Sequence, residues 1–529
     1  MGAVHSKLKT LTLAIKALLM VNKQFQEVLE RVKQPPGLPV PNPSPSYWLE
    51  DPPHPELVET QSPELPGRAD IVIIGTGITG AAVARSVLQA GAAQAGKPRR
   101  RVVVLEARTL CSGATGRNGG HIKSSPQELF ARLKGSLGPE RAAAVTRFQL
   151  AHVKVLTELC RAKGWDAAEC REVETVDLFL NAEDRDHVFE QVRDLREWVP
   201  ELEIETYDAA AAQKKFDVNN FIVGAISYTA GALWPYKFVS SVWRDLLNRF
   251  GESLSIETRT AVTDIRVGAA GRPAYKVETS RGTIECDHVV HATNGFATQF
   301  VPGLRGKATS LLAHMSAQRP GKQFPDYDGS RSWSVIYGKS SFDYITQRPT
   351  VGGVPGDIML GGGFDRSRDQ GLSVVGRYDD SSDAIDALTV NHIGNIFPTV
   401  FSPHWGDDQE GGRIKKYWAG IVALTGDFLP FVGRLDPKLT QRRPRTAKSS
   451  DGVEAGEWIA AGFCGDGMVW AWLSGTALGA MITGNDDEKV PATPGRPGGM
   501  VKDWFPHELQ PTLKRVQKAD VANMMDLMF

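Results

Sequence analysis

The stretch ADIVIIGTGITG at residues 69–80 restricts the possible folds more than any other part of the chain. Its four β-branched residues, IVII, predict a buried strand, and the following AAVARSVLQA predicts a helix. Between them, Gly75 permits a tight turn, Gly77 lets the backbone approach a diphosphate, and Gly80 lets the helix pack closely on the strand. A strand, a G-x-G-x-x-G turn and a helix in this order predict a dinucleotide-binding βαβ unit.

The residues around this turn favour a particular kind of dinucleotide. Ile78 and Thr79 begin the predicted helix, whose free N–H groups and positive dipole end attract a diphosphate. The run RVVVL at 101–105 predicts a second strand that ends at Glu106. A carboxylate at this position accepts hydrogen bonds from both ribose hydroxyls and repels a 2′-phosphate. The sequence therefore favours FAD or NAD over NADP.

Composition and charge indicate a two-domain protein that binds a small molecule. The chain has 529 residues, and 41% of them are hydrophobic, which is enough for two cores. Lysine plus arginine and aspartate plus glutamate balance at 61 each, so no net field attracts nucleic acid. Five cysteines without C-x-x-C spacing indicate a reducing compartment, and we expect a cytoplasmic protein.

The histidines do not predict a metal site. His288 and His291 form the one H-x-x-H in the sequence, in a segment that reads as a strand. On a strand this spacing places the two rings on opposite faces, so they cannot share a metal ion. We interpret His291 as a hydrogen-bonded residue of a sheet.

The first 34 residues predict an amphipathic helix. Apolar residues recur at positions 8, 11, 15, 18, 25, 29 and 32, with one polar break at Asn22. Two interpretations stay open: the helix packs on its own protein or on a second subunit, or it is a membrane-surface or organelle-targeting helix. No stretch is long and apolar enough to span a membrane. The proline-rich residues 35–65 predict an extended linker.

A glycine-rich loop follows the second strand. The segment ARTLCSGATGRNGGHIK contains four glycines and no hydrophobic period. Such a segment predicts a loop whose backbone comes close to a ligand, and the dinucleotide is the nearest candidate.

Four segments together resemble the D-amino-acid oxidase-like family of FAD-dependent oxidoreductases, which contains glycine and sarcosine oxidases and glutamylputrescine-type oxidoreductases. The segments are IVIIGTGITGAAVA with VVVLEAR, GATGRNGG, HVVHATNGFA with PGLRGK, and WAGIVALTGDFLPFVGRL with AAGFCGDGMVWAWLSG. They occur in the family's order between residues 69 and 483, which is far more specific than the first glycine motif alone.

The resemblance implies an α/β fold with two domains. One is a Rossmann-type, glutathione reductase-like FAD-binding domain assembled from separated segments. The other is a substrate domain built on a large antiparallel β-sheet that covers the flavin. The implied FAD-binding domain comprises residues 66–125, 221–300 and 413–485, with a flexible insert at 440–456, and the substrate domain comprises residues 126–220 and 301–412, followed by a C-terminal tail at 486–529.

The resemblance also implies which residues hold FAD. The GATGRNGG loop is expected to run along the isoalloxazine, and the GFCGDGM loop to approach its pyrimidine end. There the positive end of the following helix would stabilise reduced flavin. The expected cofactor-binding residues are Gly75, Gly77, Ile78, Thr79, Gly80, Glu106, Ala107, Arg108, Gly113, Ala114, Thr115, Gly116, Arg117, Asn118, Gly119, Gly120, Ala292, Thr293, Asn294, Gly462, Gly465, Asp466, Gly467 and Met468.

The chain departs from the family at several positions near the flavin. Relatives that attach FAD covalently use a histidine where this chain has Arg117, or a cysteine just before TGDFLP, where this chain reads AGIVAL. Non-covalent FAD is therefore expected, and Cys464 is interpreted as a small buried cysteine. Asp466 is acidic where the family leads us to expect a neutral or basic residue. Its side chain therefore either points away from the flavin or lowers the flavin potential.

The family reaction removes a hydride from the carbon next to an amine and leaves an imine that water hydrolyses, with electrons passing to oxygen or another acceptor. This chemistry requires orientation more than a strong base. We expect Arg117 to stabilise reduced flavin or an anionic ligand. For His121, a contact with flavin or substrate and a structural role are equally open. Tyr344 and Arg348 follow one strand that, by resemblance, faces the flavin. For Arg348, binding a substrate carboxylate and forming a surface ion pair are equally open.

Other functions remain compatible with these motifs. One is an FAD-dependent monooxygenase or alcohol-type oxidase, or an NAD-dependent dehydrogenase. Neither CGDGMVW nor TGDFLP matches the G-D dipeptide and A-H helix of hydroxylase-type monooxygenases. Another is a non-catalytic FAD-binding scaffold that assembles through the N-terminal helix, and the presence of Arg117 disfavours it.

Overall fold

The computed structural model describes residues 22–93, 99–269, 273–338, 341–444 and 453–528. Most of the predicted N-terminal helix, residues 1–21, lies outside the described residues, and so do residues 445–452 of the predicted insert. Two large sheets organise the described part of the chain.

A six-stranded sheet carries the dinucleotide motif. Its strands are β1 (Ile71–Ile74), β2 (Val102–Leu105), β7 (Leu254–Glu257), β11 (His288–His291), β17 (Phe431–Arg434) and β18 (Gly456–Ala461). The strand order is β17-β18-β11-β1-β2-β7, and β1 pairs in parallel with both β11 and β2. All four residues of β1 are buried, as expected for a parallel strand that is covered on both faces.

Some of the helices, among them residues 78–93 and 471–483, cover one face of this sheet. The helices of the described chain are α1 (22–33), α2 (Ile78–Ala93), α3 (Pro126–Leu137), α4 (Pro139–Lys163), α5 (Ala182–Trp198), α6 (Ala209–Phe216), α7 (Pro235–Phe250), α8 (Ala387–Val400), α9 (Pro437–Thr440), α10 (Ala471–Thr483), α11 (Val501–Trp504), α12 (Leu513–Lys518) and α13 (Val521–Met528). Helix α10 packs against α2 through glycines, because a methyl group on Gly479 would lie 2.5 Å from the Cβ of Ser86. This packing fixes where the loop before α10 lies.

A small antiparallel sheet covers the other face. It consists of β8 (Val262–Val267), β9 (Tyr275–Thr279) and β10 (Gly282–Cys286). Its apolar side chains form one buried cluster with the outer face of the six-stranded sheet. At the end of β11, the Nε2 of His291 lies 2.9 Å from the carboxylate of Glu457, so His291 is the hydrogen-bonded sheet residue that we predicted.

A nine-stranded sheet forms the second layer. Its strands are β3 (His121–Ile122), β4 (Arg171–Phe179), β5 (Ile204–Asp208), β6 (Gly224–Ala232), β12 (Ala308–Gln318), β13 (Arg331–Gly338), β14 (Ser341–Gln347), β15 (Ile358–Gly362) and β16 (Ile414–Thr425). The order is β16-β12-β15-β14-β13-β4-β6-β3, with β5 on β6. Only the pairing of β4 with β13 is parallel among these described strands. The predicted fold class, a Rossmann-type domain with a large and mostly antiparallel sheet, is confirmed.

Three strands differ from the predicted division into domains. The sequence placed β3, β6 and β16 with the dinucleotide-binding segments, but all three are strands of the nine-stranded sheet. β6 pairs with β4 along its whole length, β3 pairs with β6, and β16 pairs with β12. The sheet to which a strand belongs is decided by its distant partner, and its own alternation of residues does not reveal it. The other domain boundaries stay predictions.

The described part of the N-terminal helix packs on the body of the protein. Val28 and Val32 of α1 are buried in a cluster with residues of β12 and β16. Within the described ranges, no helix combines the length and the apolar composition that crossing a bilayer requires. A role of the helix in self-association or membrane contact stays a prediction.

Candidate active site

A cavity of about 700 Å³ lies between the two sheets, a volume typical of small-molecule sites. Most of the predicted cofactor residues line it. These are Gly75, Gly77, Ile78, Thr79, Glu106, Ala107, Arg108, Gly113, Ala114, Thr115, Arg117, Asn118, Gly119, Ala292, Thr293, Asn294, Gly465, Asp466, Gly467 and Met468. The predicted residues that do not line it are Gly80, Gly116, Gly120 and Gly462.

The glycine turn after β1 leaves no room for side chains. A methyl group on Gly75 would lie 2.6 Å from the carbonyl oxygen of Ala292, and one on Gly80 would lie 2.0 Å from that of Gly75. At Gly77 the neighbour is the hydroxyl of Thr115, at 2.9 Å. The same hydroxyl accepts a hydrogen bond of 3.1 Å from the N–H of Ile78, so it joins the glycine-rich loop to the start of α2.

The carboxylate of Glu106 is held in place where β2 ends. Its Oε2 accepts hydrogen bonds from the backbone and the hydroxyl of Thr76, and its Oε1 accepts one from the backbone of Arg108. These bonds fix the carboxylate in the cavity wall. The predicted ribose-binding residue is therefore oriented by the glycine turn itself.

Arg117 is anchored deep in the wall. Its Nε donates to the carbonyl oxygen of Ala419 at 2.6 Å and lies 3.3 Å from the carboxylate of Asp380, and its Nη2 donates to the hydroxyl of Ser44 at 2.6 Å. Burial lowers the pKa of Arg117 to about 10, although Asp380 acts in the opposite direction. Within the described chain, Nη1 has no partner. Arg117 therefore remains a cation, and most of its donors are used to hold the loop.

The proline-rich segment closes one side of the cavity. We call residues 34–50 the N-terminal strap. Besides Ser44, the strap contacts the glycine-rich loop through Ser46, whose hydroxyl donates to Gly116, and Trp48, whose indole donates to Asn118. Near its start, Gly37 donates to the side chain of Gln299 at 2.9 Å, and residues 37–39 line the cavity. The predicted linker is thus a fixed part of the cavity wall.

The loop before α10, which we call the flavin loop (residues 463–468), forms another part of the wall. The side-chain oxygen of Asn294 accepts a hydrogen bond of 3.0 Å from Gly462 and so ties the end of β11 to this loop. Burial raises the pKa of Cys464 to about 11, and its thiol donates to the carbonyl oxygen of Gly462. The side chain of Asp466 is open to the cavity, and burial raises its pKa to about 7.

The nine-stranded sheet supplies the opposite wall. Tyr344 packs so closely on the glycine-rich loop that a methyl group on Gly119 would lie 2.7 Å from its ring. Its hydroxyl makes no hydrogen bond with the described residues, and burial keeps its pKa well above the usual value. His121 lies within 2.9 Å of the hydroxyl of Ser332, and burial holds its pKa well below the usual value. Both side chains are therefore neutral.

The structure places Arg348 away from the cavity. Its guanidinium pairs with the carboxylate of Glu169 at 2.6 Å, donates to the hydroxyl of Tyr47 and lies 4.4 Å from the ring centre of Trp234. Arg348 follows the last residue of β14 and does not line the cavity. Of the four predicted catalytic residues, Arg117, His121 and Tyr344 share the cavity and Arg348 does not.

Several charged residues of the cavity were missed in the sequence. Lys123 forms an ion pair with Asp177 and donates to the hydroxyl of Ser334 at 2.5 Å. Glu128 and Arg132, one turn apart on α3, also line the cavity. Lys123 is the last residue of the segment ARTLCSGATGRNGGHIK, which could have marked it. The pair on α3 gave no signal, because an acid and a base at this spacing usually form a solvated helix face.

The comparisons with known proteins agree with this arrangement. Residues 70–481 match the family described as FAD dependent oxidoreductase. The chain is 20% identical over 447 residues to a protein named probable oxidoreductase OrdL from Haemophilus influenzae, covering 82% of this chain and 89% of that protein. It is 22% identical over 419 residues to gamma-glutamylputrescine oxidoreductase from Escherichia coli, covering 79% and 84%. The crystal structure of L-proline dehydrogenase from P. horikoshii has a similar fold, with a TM-score of 0.59 at 19% identity, covering 86% of this chain and all of that one.

Proposed function

Since the chain belongs to the DAO family of FAD-dependent oxidoreductases, which it matches over residues 70–481, we propose that it oxidises a carbon–nitrogen bond of an amine or amino acid. The product is an imine that water then hydrolyses. The observation that carries the proposal is that the predicted dinucleotide-binding residues line the same cavity as Tyr344 and His121 of the opposite sheet. A cofactor and a small substrate would therefore face each other across this space.

The residues of the cavity fit FAD. Gly75 and Gly77 leave the backbone bare at the start of α2, where a diphosphate is favoured, and Glu106 is held at the end of β2 for the ribose. Bound FAD supplies the acceptor for the hydride. Helix α10 follows the flavin loop, so its N-terminal end favours the negative charge of bound FAD, whereas the carboxylate of Asp466 acts in the opposite direction.

The protein's own residues orient the substrate. Tyr344 presents an unpaired hydroxyl to the cavity, and neutral His121 of β3 lines the same cavity. An amine must lose its proton before its carbon can give up a hydride, and the wall offers carboxylates, in Glu128 and Asp466, that can hold this proton. The strap and the two sheets exclude water from the reacting carbon.

We further propose that FAD is bound without a covalent link. Raising the pKa of Cys464 to about 11 keeps its sulfur a protonated thiol at neutral pH, and a thiol is a poor nucleophile. Arg117 occupies the other candidate position and cannot form such a bond. Acid precipitation is expected to release all the FAD into the supernatant, and yellow colour that stays in the pellet would contradict this expectation.

The function is tested by mixing the FAD-loaded protein with candidate substrates without oxygen. Primary amines, secondary amines and amino acids form the test panel, and alcohols of matched carbon skeleton serve as the control. Bleaching of the flavin absorbance by a C–N compound supports the proposal. Bleaching by the alcohols alone would contradict it. Re-admitting oxygen, with and without an added redox dye, then identifies the electron acceptor.

A further inference from the structure

We infer that the part of the cavity between Glu128 of α3 and Asp466 of the flavin loop binds the positively charged nitrogen of the substrate. The substrate class is then a cationic alkylamine or diamine, with no net negative charge, in preference to a zwitterionic amino acid. This inference rests on the proposed function and narrows it.

Both carboxylates are placed by short segments with fixed geometry. Glu128 lies in the first turn of α3, which begins at Pro126, and Asp466 immediately precedes the 3-10 turn Gly467–Val469. Both side chains are open to the cavity and line it. Within the described chain, neither carboxylate has an ion-pair or hydrogen-bond partner, so both remain available to a ligand.

The charge balance of this region is negative. Lys123 is matched by Asp177, to which it is ion-paired, and the hydroxyl of Tyr228 also donates to Asp177. Arg132 also lines the cavity and acts on both carboxylates. The other charged residues of the wall are Glu106, Arg108, Arg117, Asp184 and Asp380. The guanidinium of Arg132 lies 5.1 Å from the ring centre of Phe428. When both carboxylates are charged, the group of Lys123, Asp177, Arg132, Glu128 and Asp466 carries one uncompensated negative charge, which favours a ligand with a positive charge.

A buried amide gives independent evidence of a missing partner. Gln149 of α4 lies in the cavity wall with 1% of its surface exposed, and its Oε1 has no hydrogen-bond partner in the described chain. Helix α4 packs on α3 and on the 3-10 turn after Asp466. An unsatisfied buried acceptor costs about 1–3 kcal/mol. A cationic ligand beside this oxygen would offset its partial negative charge, and a ligand with N–H groups would also donate to it.

The ionisation of the pair is consistent with a missing cation. Burial raises the pKa of Glu128 to about 7, with Asp177 and Asp466 raising it further while Arg132 and Lys123 lower it. The pKa of Asp466 is raised to about 7 by burial, against the effects of Arg132 and Lys123. A bound cation would favour the charged form of both carboxylates. The same charges would stabilise the positive charge that hydride loss leaves on the substrate nitrogen.

The inference is tested by titrating the FAD-loaded protein with two ligands of opposite charge, butyltrimethylammonium and butyrate, in a calorimeter at pH 8. The quaternary nitrogen has no lone pair, so its binding is measured without turnover. We expect the cation to bind at least tenfold more tightly than the anion. Glu128→Gln and Asp466→Asn are each expected to weaken cation binding about tenfold, the effect of losing one ion pair in a sheltered site.

Matched controls separate this effect from a general loss of charge. Glu172→Gln and Asp487→Asn remove exposed carboxylates that do not line the cavity, and they are expected to leave the affinity unchanged. FAD content and melting temperature show whether each variant is folded. The comparison of the two ligands on the unaltered protein needs no variant at all.

Three outcomes would overturn the inference: equal binding of the two ligands, tighter binding of butyrate, or unchanged cation affinity in both cavity variants. Failure of the proposed function looks different. If amino acids bleach the flavin and the cation does not bind, the function stands and the cationic site is wrong. If the cation binds and no C–N compound bleaches the flavin, the cationic site stands and the proposed function is wrong.

Discussion

At the scale of single residues, Gly80 shows how a missing side chain holds the dinucleotide turn together. A methyl group there would meet the carbonyl oxygen of Gly75 at 2.0 Å, so the start of α2 would have to move away from β1. We expect Gly80→Ala to destabilise the protein by about 3 kcal/mol and to reduce its FAD content. The measurements are the melting temperature and the flavin absorbance of the purified protein.

Gly91, in the same helix, provides the matched control. An added methyl group there meets nothing within 4 Å. Gly91→Ala is expected to keep full FAD content and to raise stability by about 0.5–1 kcal/mol, because alanine favours a helix. Equal effects of the two substitutions would contradict the role given to Gly80.

The two cavity carboxylates predict a pH dependence. Because the pKa values of Glu128 and Asp466 are raised to about 7, both are mostly protonated at pH 6 and mostly charged at pH 8. The charged groups that face them are Lys123, Arg132 and Asp177. Affinity for butyltrimethylammonium should therefore rise roughly tenfold from pH 6 to pH 8. The double variant Glu128→Gln, Asp466→Asn should show a flat profile, and affinity that falls with pH would contradict the prediction.

At the scale of elements, the N-terminal strap supports the proposed cofactor site from outside the family match. It precedes the part of the chain that matches the family, yet it lines the cavity and holds the glycine-rich loop. Ser44 alone bonds to Arg117, Asp380 and Ala419. The strap should therefore slow the release of FAD.

Substituting the serine tests this role. Ser44→Ala removes the hydroxyl and leaves the buried N–H groups of Arg117 and Ala419 with one acceptor fewer, a loss of about 1–3 kcal/mol. We expect FAD to dissociate about tenfold faster, measured by the recovery of flavin fluorescence after dilution. Ser330→Ala, which removes an exposed hydroxyl in a turn far along the chain, should leave the rate unchanged. Equal rates in the two variants would show that the strap does not retain FAD.

Elements with local geometry could be predicted from the sequence, and contacts between distant elements could not. The glycine turn and the end of β2 were predictable because their geometry is local and is encoded within a few residues. Arg348 was placed on the substrate wall by alternation, but its guanidinium pairs with Glu169, 179 residues earlier. Glu128 and Asp466 converge only through the packing of α4 on α3 and the flavin loop. No pattern within either segment records that packing.

At the scale of the whole molecule, the cavity lies between the two large sheets. A ligand that contacts both walls stabilises the folded protein by mass action, by about 4 kcal/mol at a thousandfold excess over its Kd. Removing FAD should therefore lower the melting temperature by several degrees. FMN lacks the adenosine that Glu106 and the start of the strap would contact. Adding FMN should therefore raise the melting temperature less than adding FAD does. Full restoration by FMN would contradict the proposed position of the adenosine.

The same scale explains why the division into domains was only partly predictable. β6 and β16 look like strands of the dinucleotide sheet when each is considered with its neighbours in sequence. Their hydrogen bonds place them in the other sheet, because each partner strand lies far away along the chain. Strand identity is a local property, and sheet membership is a property of the folded whole.

The contacts of Ser44 can form only late in the synthesis of the chain. The serine leaves the ribosome early, but Asp380 follows 336 residues later and Ala419 follows 375 residues later. At a synthesis rate of about 5–20 residues per second, the delay is roughly 20–75 s. Throughout this interval the strap cannot make these bonds, so this part of the cavity wall is not yet formed. These bonds of Ser44 thus form only after residue 419 of the 529 has been made.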